Sequence, residues 1–200
     1  MGTDDLFKKR KARKASSLAR EINKREPYDV VLIVCEGTKT EPNYLKGLKS
    51  ALALSNANVQ VVEDGHGTDP LSIVRCAIGY YKTEPLYDRV YCVFDRDDHA
   101  NYSEALELVR QHPLSQEGKL FAITSVPCFE VWLLLHYVYT TQSFRKSAKN
   151  SSGDQVLRVL KSHIPNYRKS HPEIFALLSN LTKTAIKHAK RLALHNQAVE

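Results

Sequence analysis

The feature that most constrains the fold is a buried strand that runs directly into a group of acids. Residues 90–94 (Val-Tyr-Cys-Val-Phe) are apolar throughout, and Asp95, Arg96, Asp97, Asp98 and His99 follow without a break. A strand that is apolar on both faces belongs in a sheet covered by other elements on both sides. The acids then stand at the carboxyl end of this strand, where open α/β sheets bind their ligands.

The rest of residues 27–140 alternates short apolar runs with amphipathic helical patterns. The further predicted strands are residues 30–35, 58–62 and 120–124. Thr40 is the predicted N-cap of the first helix, and Asp69 followed by Pro70 marks the start of the second. Strands alternating with helices at this spacing predict right-handed βαβ units around a mainly parallel sheet.

Charge divides the chain into three parts. Of the net charge of +7, residues 1–26 carry +5, residues 27–140 carry −6 and residues 141–200 carry +8. We therefore predict a basic N-terminal arm (1–26), an α/β domain (27–140) and a helical C-terminal extension (141–200). Basic borders around an acidic centre suit a protein that binds polyanions, although basic residues that merely face solvent give the same count. The candidate nucleic-acid-binding residues are Lys8, Lys9, Arg10, Lys11, Lys183, Lys187, Lys190 and Arg191.

Several classes of protein are disfavoured. No apolar run approaches the roughly 18 residues of a membrane span, and the N-terminus lacks the apolar segment of a secretory signal. The four cysteines are widely spaced, which predicts reduced thiols and no zinc site. No phosphate-binding GxxxxGK[ST] loop and no Gly-x-Ser-x-Gly elbow is present. We expect a cytoplasmic protein without a membrane partner.

Glu36 provides the second element of a site. It directly follows the first predicted strand, and the carboxyl ends of parallel strands share one edge, so it is expected to lie near Asp95. Alternate residues of an extended chain point the same way, so Asp95 and Asp97 are expected to share a face. Converging carboxylates repel each other unless a hard cation such as Mg²⁺ or Mn²⁺ lies between them. An isolated Asp-x-Asp is equally well explained as a solvated turn in which Asp97 caps the next helix, and Glu36 favours the metal site.

Glu130 is the further candidate ligand. It is the sole acid in an apolar stretch and follows the fourth strand, and a buried carboxylate is costly without a partner. A first-turn glutamate favoured by the helix dipole is the alternative. His136 lies six residues further on, away from the face of Glu130, and is predicted as a core histidine more readily than as a site residue.

Three auxiliary candidates flank the acids. Lys39 follows Glu36 and could oppose the charge of a phosphate, or it is a solvated loop lysine. Asp98 is predicted to cap the next helix, with metal contact as the lesser alternative. His99 could orient a phosphate or a water molecule, or simply begin the helix.

Three blocks of the sequence resemble the RloB-like family, which is linked to bacterial abortive-infection and restriction loci and is related to TOPRIM domains. The blocks are VLIVCEGTKTEPNY (31–44), FDRDDH (94–99) and PCFEVWLLLH (127–136). The resemblance implies a TOPRIM-like, Rossmann-like sheet and metal-dependent nuclease activity. It also implies that Glu36 is the general acid/base, that Asp95 and Asp97 bind the metal, and that Glu130 assists them. An ATPase partner encoded nearby is implied by the resemblance alone.

We therefore expect a Mg²⁺- or Mn²⁺-dependent nuclease of anti-phage defence that cleaves RNA or DNA. A non-catalytic subunit that binds nucleic acid or an ATPase is the alternative, and a phosphatase or nucleotide phosphotransferase would share the acidic site. A homodimer is a further expectation. Family members usually continue beyond the last helix, so this chain is expected to be a short variant or a truncated one.

Overall fold

The computed structural model describes residues 29–55, 59–63 and 69–199. The predicted basic arm, with Lys8, Lys9, Arg10 and Lys11, lies outside these ranges. The strands are β1 Val31–Cys35, β2 Val59–Glu63, β3 Arg89–Asp95 and β4 Leu120–Ser125. The helices are α1 Thr40–Ala51, α2 Pro70–Thr83, α3 Tyr102–Gln111, α4 Pro113–Gln116, α5 Glu130–Leu135, α6 Ser152–His163, α7 Ile174–Leu178 and α8 Thr182–Val199, with a 3₁₀ turn at Ser179–Leu181.

The sheet has the order β2-β1-β3-β4, and every neighbouring pair is parallel. This confirms the predicted α/β class with a parallel sheet flanked by helices and a helical C-terminal part. The chain winds outward from β1 to β2 and then crosses back to β3, so the winding reverses between β1 and β3. The crevice at the carboxyl ends of two such strands is where α/β sheets of this kind bind ligands.

Two hydrophobic clusters hold the fold together. The first lies around β1 and β3, whose side chains Leu32, Val34, Val90 and Phe94 are fully buried against α2 and α3. These four side chains lie on one face of the sheet, whereas Val31, Ile33 and Tyr91 on the other face are half-buried. An unbroken apolar run therefore fits a sheet that is covered fully on one face and partly on the other. Each fully buried side chain contributes about 1.5–3 kcal/mol to folding.

The second cluster joins the C-terminal helices to the sheet domain. It combines Tyr44 of α1 and Leu133 of α5 with Leu160 of α6 and Phe175 of α7. The Tyr44 ring packs edge-on against Phe175, with 5.2 Å between the ring centroids. The C-terminal helices α6 and α7 therefore share one core with α1 and α5, which follow the carboxyl ends of β1 and β4.

Helix starts show where local sequence rules hold and where they fail. The Asp69-Pro70 start is confirmed, since the Asp69 carboxylate accepts a hydrogen bond from the Ser72 N–H at 3.2 Å. The Thr40 cap is wrong, because Thr40 lies inside α1 and its hydroxyl donates to the Lys169 carbonyl at 3.0 Å. The Asp98 cap is also wrong.

The residue before α3 is Asn101, and the Asp98 carboxylate pairs with the Lys146 ammonium at 2.6 Å instead.

None of the helices in the described ranges combines the length and the apolar composition that crossing a bilayer requires.

Candidate active site

Glu36 and Asp95 meet at the point where the winding of the sheet reverses. The Glu36 N–H donates to the Val93 carbonyl at 2.9 Å, which extends the pairing of β1 with β3 by one residue. The Asp95 N–H in turn donates to Oε2 of Glu36 at 3.0 Å. The other Glu36 oxygen, Oε1, lies 3.0 Å from Nε2 of His99. The structure thus brings together three of the residues singled out from the sequence.

A cavity of about 410 Å³ opens beside this pair. It is formed by the turn after β1, the first turn of α1, the end of β3, the start of α5 and the loop before α7. The lining residues are Glu36, Gly37, Thr38, Lys39, Thr40, Glu41, Asp95, Glu130 and Lys169. Four carboxylates and two ammonium groups therefore line a cavity that is large enough to hold a phosphate group and the atoms bonded to it.

Burial favours the neutral form of two of these acids, Asp95 and Glu36. Burial, the nearby Glu41 carboxylate and then those of Glu36 and Glu130 raise the pKa of Asp95 to about 8, against the hydrogen bond from the Phe129 N–H. Burial also raises the pKa of Glu36, although the hydrogen bond from Asp95 and the proximity of His99 oppose it. Such uncompensated negative charge is typical of sites that bind a cation or move a proton.

Glu130 has three polar neighbours, which come from α1 and from the loop before α7. Its side chain is 3% exposed, and Oε1 accepts a hydrogen bond from the Tyr167 hydroxyl at 3.0 Å. The Thr40 hydroxyl lies 3.5 Å from the same oxygen and the Lys169 ammonium 3.9 Å. A buried carboxylate needs such partners, so Glu130 ties α5 to α1 and to the loop before α7 while it lines the cavity.

Asp97 stands outside the cavity lining. The prediction that it shares a face with Asp95 was wrong, because β3 ends at Asp95 and the backbone of Asp97 turns into the left-handed region at φ 31°. The Asp97 N–H donates to the Pro127 carbonyl at 3.0 Å, and its side chain is exposed. Its role as a metal ligand stays a prediction.

The other predicted site residues occupy different surroundings. Lys39 lines the cavity and is exposed. His136 is 1% exposed and lies in the second hydrophobic cluster, with Nε2 3.2 Å from the Tyr44 hydroxyl and Nδ1 3.0 Å from the Trp132 carbonyl. Burial lowers the pKa of His136. These are the surroundings of a core histidine, and His136 does not line the cavity.

The predicted nucleic-acid-binding residues of the last helix lie on α8, away from the cavity lining. All are exposed; they are Lys183, Lys187, Lys190 and Arg191. The Arg191 guanidinium lies over the Tyr139 ring, 4.0 Å from its centroid, which fixes this cation against the loop that follows α5.

Sequence reasoning missed three residues of the cavity and its frame, namely Glu41, Tyr167 and Lys169. Glu41 is 7% exposed, and a Cβ atom at Gly37 would overlap its carboxylate. The helix dipole already explains an acid in the first turn of a helix, so nothing in the sequence indicated that Glu41 is buried. Tyr167 and Lys169 lie in a loop without periodicity, about 130 residues along the chain from Glu36.

The lining has the donor chemistry of a Mg²⁺ or Mn²⁺ site. Its carboxylates are hard oxygen ligands, and burial, together with the charges of Glu41, Glu36 and Glu130, raises the pKa of Asp95. In the described ranges, no three His, Cys, Asp or Glu side chains form a ready group for a metal ion. Mg²⁺ commonly binds through one or two carboxylates and completes its shell with water and substrate phosphate, so the Asp95 environment fits such an ion.

The fold and this edge define an α/β protein with an acidic cleft at the reversal point of a parallel sheet. The family model described as RloB-like protein matches residues 31–200, which include every described strand and helix. The chain therefore belongs to the RloB-like family. No curated protein and no solved structure matches it.

Proposed function

We propose that this protein is a Mg²⁺- or Mn²⁺-dependent nuclease that hydrolyses phosphodiester bonds of RNA or DNA. The observation that carries the proposal is the contact of Glu36 with Asp95 in the lining of an acidic cavity, where burial raises the pKa of both carboxyl groups. Acids with perturbed pKa values at the reversal point of a parallel sheet are a frequent sign of catalysis.

Glu36 is the proposed general acid/base. Its raised pKa brings the proton exchange of its carboxyl group closer to neutral pH, where such a group transfers protons most efficiently. The Asp95 N–H fixes Oε2, and His99 fixes Oε1 from the other side. His99 is thus a positioning residue that holds the Glu36 carboxylate and stabilises its charged form.

Asp95 would hold the metal ion, with Glu130 and Asp97 as the further carboxylates proposed for it. Such an ion neutralises charge on the phosphate oxygens and activates water. Asp95 would lose its proton on becoming a ligand, because the charge of the ion would offset the carboxylate repulsion that raises the pKa of Asp95. Glu130 holds its place through Tyr167 and Thr40, so it supports the cavity wall whether or not it binds the metal.

The basic residues at the two ends of the chain are the proposed grip on the nucleic-acid backbone. Contacts to phosphate position a strand without reading its bases, so the proposal covers RNA and DNA alike. The family resemblance supports a role in bacterial anti-phage defence and an ATPase partner encoded nearby. A homodimer is proposed apart from that resemblance.

The test is a cleavage panel with the purified full chain. Single- and double-stranded RNA, tRNA, and single- and double-stranded DNA are incubated with Mg²⁺, Mn²⁺ or EDTA. We expect cleavage with either ion and none with EDTA, and a loss of at least about 100-fold in Glu36→Gln and Asp95→Asn. Glu104→Gln removes an exposed acid on α3 and serves as the matched control. Cleavage that persists in both site variants contradicts the assignment.

Assays of binding, thermal stability and phosphate-ester turnover, run beside this panel, separate the alternatives. A non-catalytic subunit binds the nucleic acids without cutting them and still gains thermal stability from Mg²⁺. A phosphatase or phosphotransferase turns over small phosphate esters without strand scission.

A further inference from the structure

The loop between α6 and α7 carries a lysine into the wall of the cavity. Two side chains of α1 hold the backbone of this loop. The Thr40 hydroxyl donates to the Lys169 carbonyl at 3.0 Å, and the Asn43 amide donates to the His171 carbonyl at 3.3 Å. The loop is thereby fastened to the helix that begins four residues after Glu36.

Tyr167 anchors the same loop from inside. Its side chain is 4% exposed in the second hydrophobic cluster, and its hydroxyl donates to Oε1 of Glu130. The tyrosine lies two residues before Lys169, so the lysine follows directly from a buried fixed point. A lysine placed by contacts on both sides of it loses less freedom on binding a ligand than one on an unrestrained loop.

The Lys169 ammonium is close to the acids and remains accessible. It lies 3.9 Å from Oε1 of Glu130, an ion-pair distance beyond hydrogen-bond range, and its side chain is 61% exposed. Partial burial lowers the pKa of Lys169, but the Glu130, Asp95 and Glu41 carboxylates and the Cys128 thiol outweigh it and raise the pKa overall. The group is therefore a stable cation that lines the same cavity as Glu36 and Asp95.

A phosphate that enters this cavity meets the side chains of four acids. Each of them that is ionised repels an approaching anion, so the phosphate needs a cation beside it. A lysine ammonium is a compact point charge with three donors, well suited to the non-bridging oxygens of a phosphodiester. Arg168, the adjacent cation, is exposed and does not line the cavity.

We propose that Lys169 forms the phosphate subsite of this cleft, donating to a non-bridging oxygen of the backbone phosphate that lies against Asp95. The inference rests on the proposed phosphodiester chemistry and names the residue that holds the substrate. The C-terminal part of the chain thereby contributes a substrate-binding residue to the site. The purely structural alternative is that Lys169 only compensates the charge of Glu130.

The test measures binding apart from cleavage. Fluorescein-labelled single-stranded RNA and DNA 10-mers are titrated with the full chain by fluorescence anisotropy, with Ca²⁺ in place of Mg²⁺ and gels to verify intact probe. Lys169→Gln is compared with Lys169→Arg and with Arg168→Gln, which removes the same charge one residue away. Should Lys169→Gln not fold by its melting curve, Lys169→Met, which keeps the apolar stem, replaces it.

We expect Lys169→Gln to weaken binding about tenfold and to reduce the slope of log K against log salt by about 0.7, the effect of one lost phosphate contact on a single strand. Lys169→Arg keeps most of the affinity, and Arg168→Gln stays within about twofold of the wild type. Affinity unchanged in Lys169→Gln, an equal loss in Arg168→Gln, or no binding by the wild type each overturns the inference. Lysine-dependent binding without any cleavage supports the subsite and refutes the nuclease. Cleavage by the wild type, together with binding that Lys169→Gln leaves unchanged, supports the nuclease and refutes the subsite.

Discussion

The backbone N–H of Asp95 donates a hydrogen bond to the side chain of Glu36 at 3.0 Å, across the boundary between β1 and β3. The backbone of Asp95 thus fixes the carboxylate of Glu36, the proposed general acid/base, although 59 positions separate the two residues. Because the donor is a backbone group, a change of the Asp95 side chain leaves this bond in place. The two carboxylates can therefore be varied separately, and the predictions below depend on that independence.

The metal-free protein should lose stability as the pH rises. The pKa of Asp95 is about 8 in the folded state and has an ordinary value of 3.8, so the folded state binds a proton that the unfolded chain has released. The contribution is fully present below pH 4 and is lost as the pH rises through 8. Between pH 6 and pH 8, urea denaturation in EDTA should show a loss of about 1–2 kcal/mol.

Asp95→Asn is the matched variant for this measurement. The amide cannot ionise, so its stability should change much less over the same pH interval and should exceed that of the wild type at pH 8. Equal pH slopes for the two proteins would show that Asp95 does not titrate in this range.

Mg²⁺ should stabilise the folded chain, and more so at high pH. A ligand that binds only the folded state at 100 times its Kd adds about 2.7 kcal/mol. Because Asp95 must lose its proton to bind the ion, binding should release protons, and the apparent affinity should rise as the pH rises toward 8. Calorimetry in two buffers of different ionisation enthalpy measures the release. Proton release of the same size in Asp95→Asn would mean that the protons come from another group.

His99→Gln should change the pH profile of cleavage rather than abolish cleavage. His99 lowers the pKa of Glu36 through its charge and its hydrogen bond. Without it the pKa of Glu36 rises further, so the limb of kcat/KM that requires ionised Glu36 should move to higher pH, with a loss of about 10-fold at neutral pH. His195→Gln, which changes an exposed histidine of α8, is the control. A uniform loss at every pH would indicate a purely structural role for His99.

Tyr167→Phe should destabilise the protein by about 1–3 kcal/mol, because Glu130 then remains buried with one hydrogen-bond donor fewer. Urea denaturation measures the loss. Tyr80→Phe, at a 39% exposed tyrosine of α2, should stay within about 0.5 kcal/mol of the wild type. Equal stability of both variants would mean that the Tyr167 hydroxyl is dispensable for the Glu130 network.

Gly37→Ala should lower cleavage while the chain still folds. The new Cβ would overlap the Glu41 carboxylate, so that side chain must leave its place over the turn. The Glu41 charge raises the pKa of Asp95 more than any other charge does, so its displacement should lower that pKa. The loss of stability between pH 6 and pH 8 that we expect for the wild type should then be smaller in Gly37→Ala. Gly79→Ala, where a Cβ meets open space, is the matched control.

The parts of the site that follow from strand order could be predicted, and those that depend on tertiary packing could not. Glu36 and Asp95 each end an apolar run, and parallel strands bring such ends to one edge whatever the loops between them do. Asp97 lies two residues beyond, where the chain has left the strand, and the alternation rule no longer applies there. The hydroxyl of Thr40, a good cap by local rules, bonds instead to a loop 129 residues away.

Lys169 and Tyr167 illustrate the remaining gap. Nothing in their local sequence distinguishes them from solvated loop residues, because their positions are set by Tyr167 entering a core built from α1, α5, α6 and α7. In the sequence, Glu41 looks like an ordinary first-turn acid, although it is buried in the structure. A buried acid and a first-turn acid look alike until the neighbouring glycine is seen to leave room for its carboxylate.

The shared core of the C-terminal helices with α1 and α5 has a consequence for the order of synthesis. The ribosome makes Glu36, Asp95 and Glu130 first, and Tyr167 and Lys169 more than thirty residues after the last of them. Until then the Glu130 carboxylate lacks its hydroxyl partner and the cavity lacks one wall. A nascent chain therefore carries the acids without the finished cleft, and the complete site forms only when the later helices pack against α1 and α5.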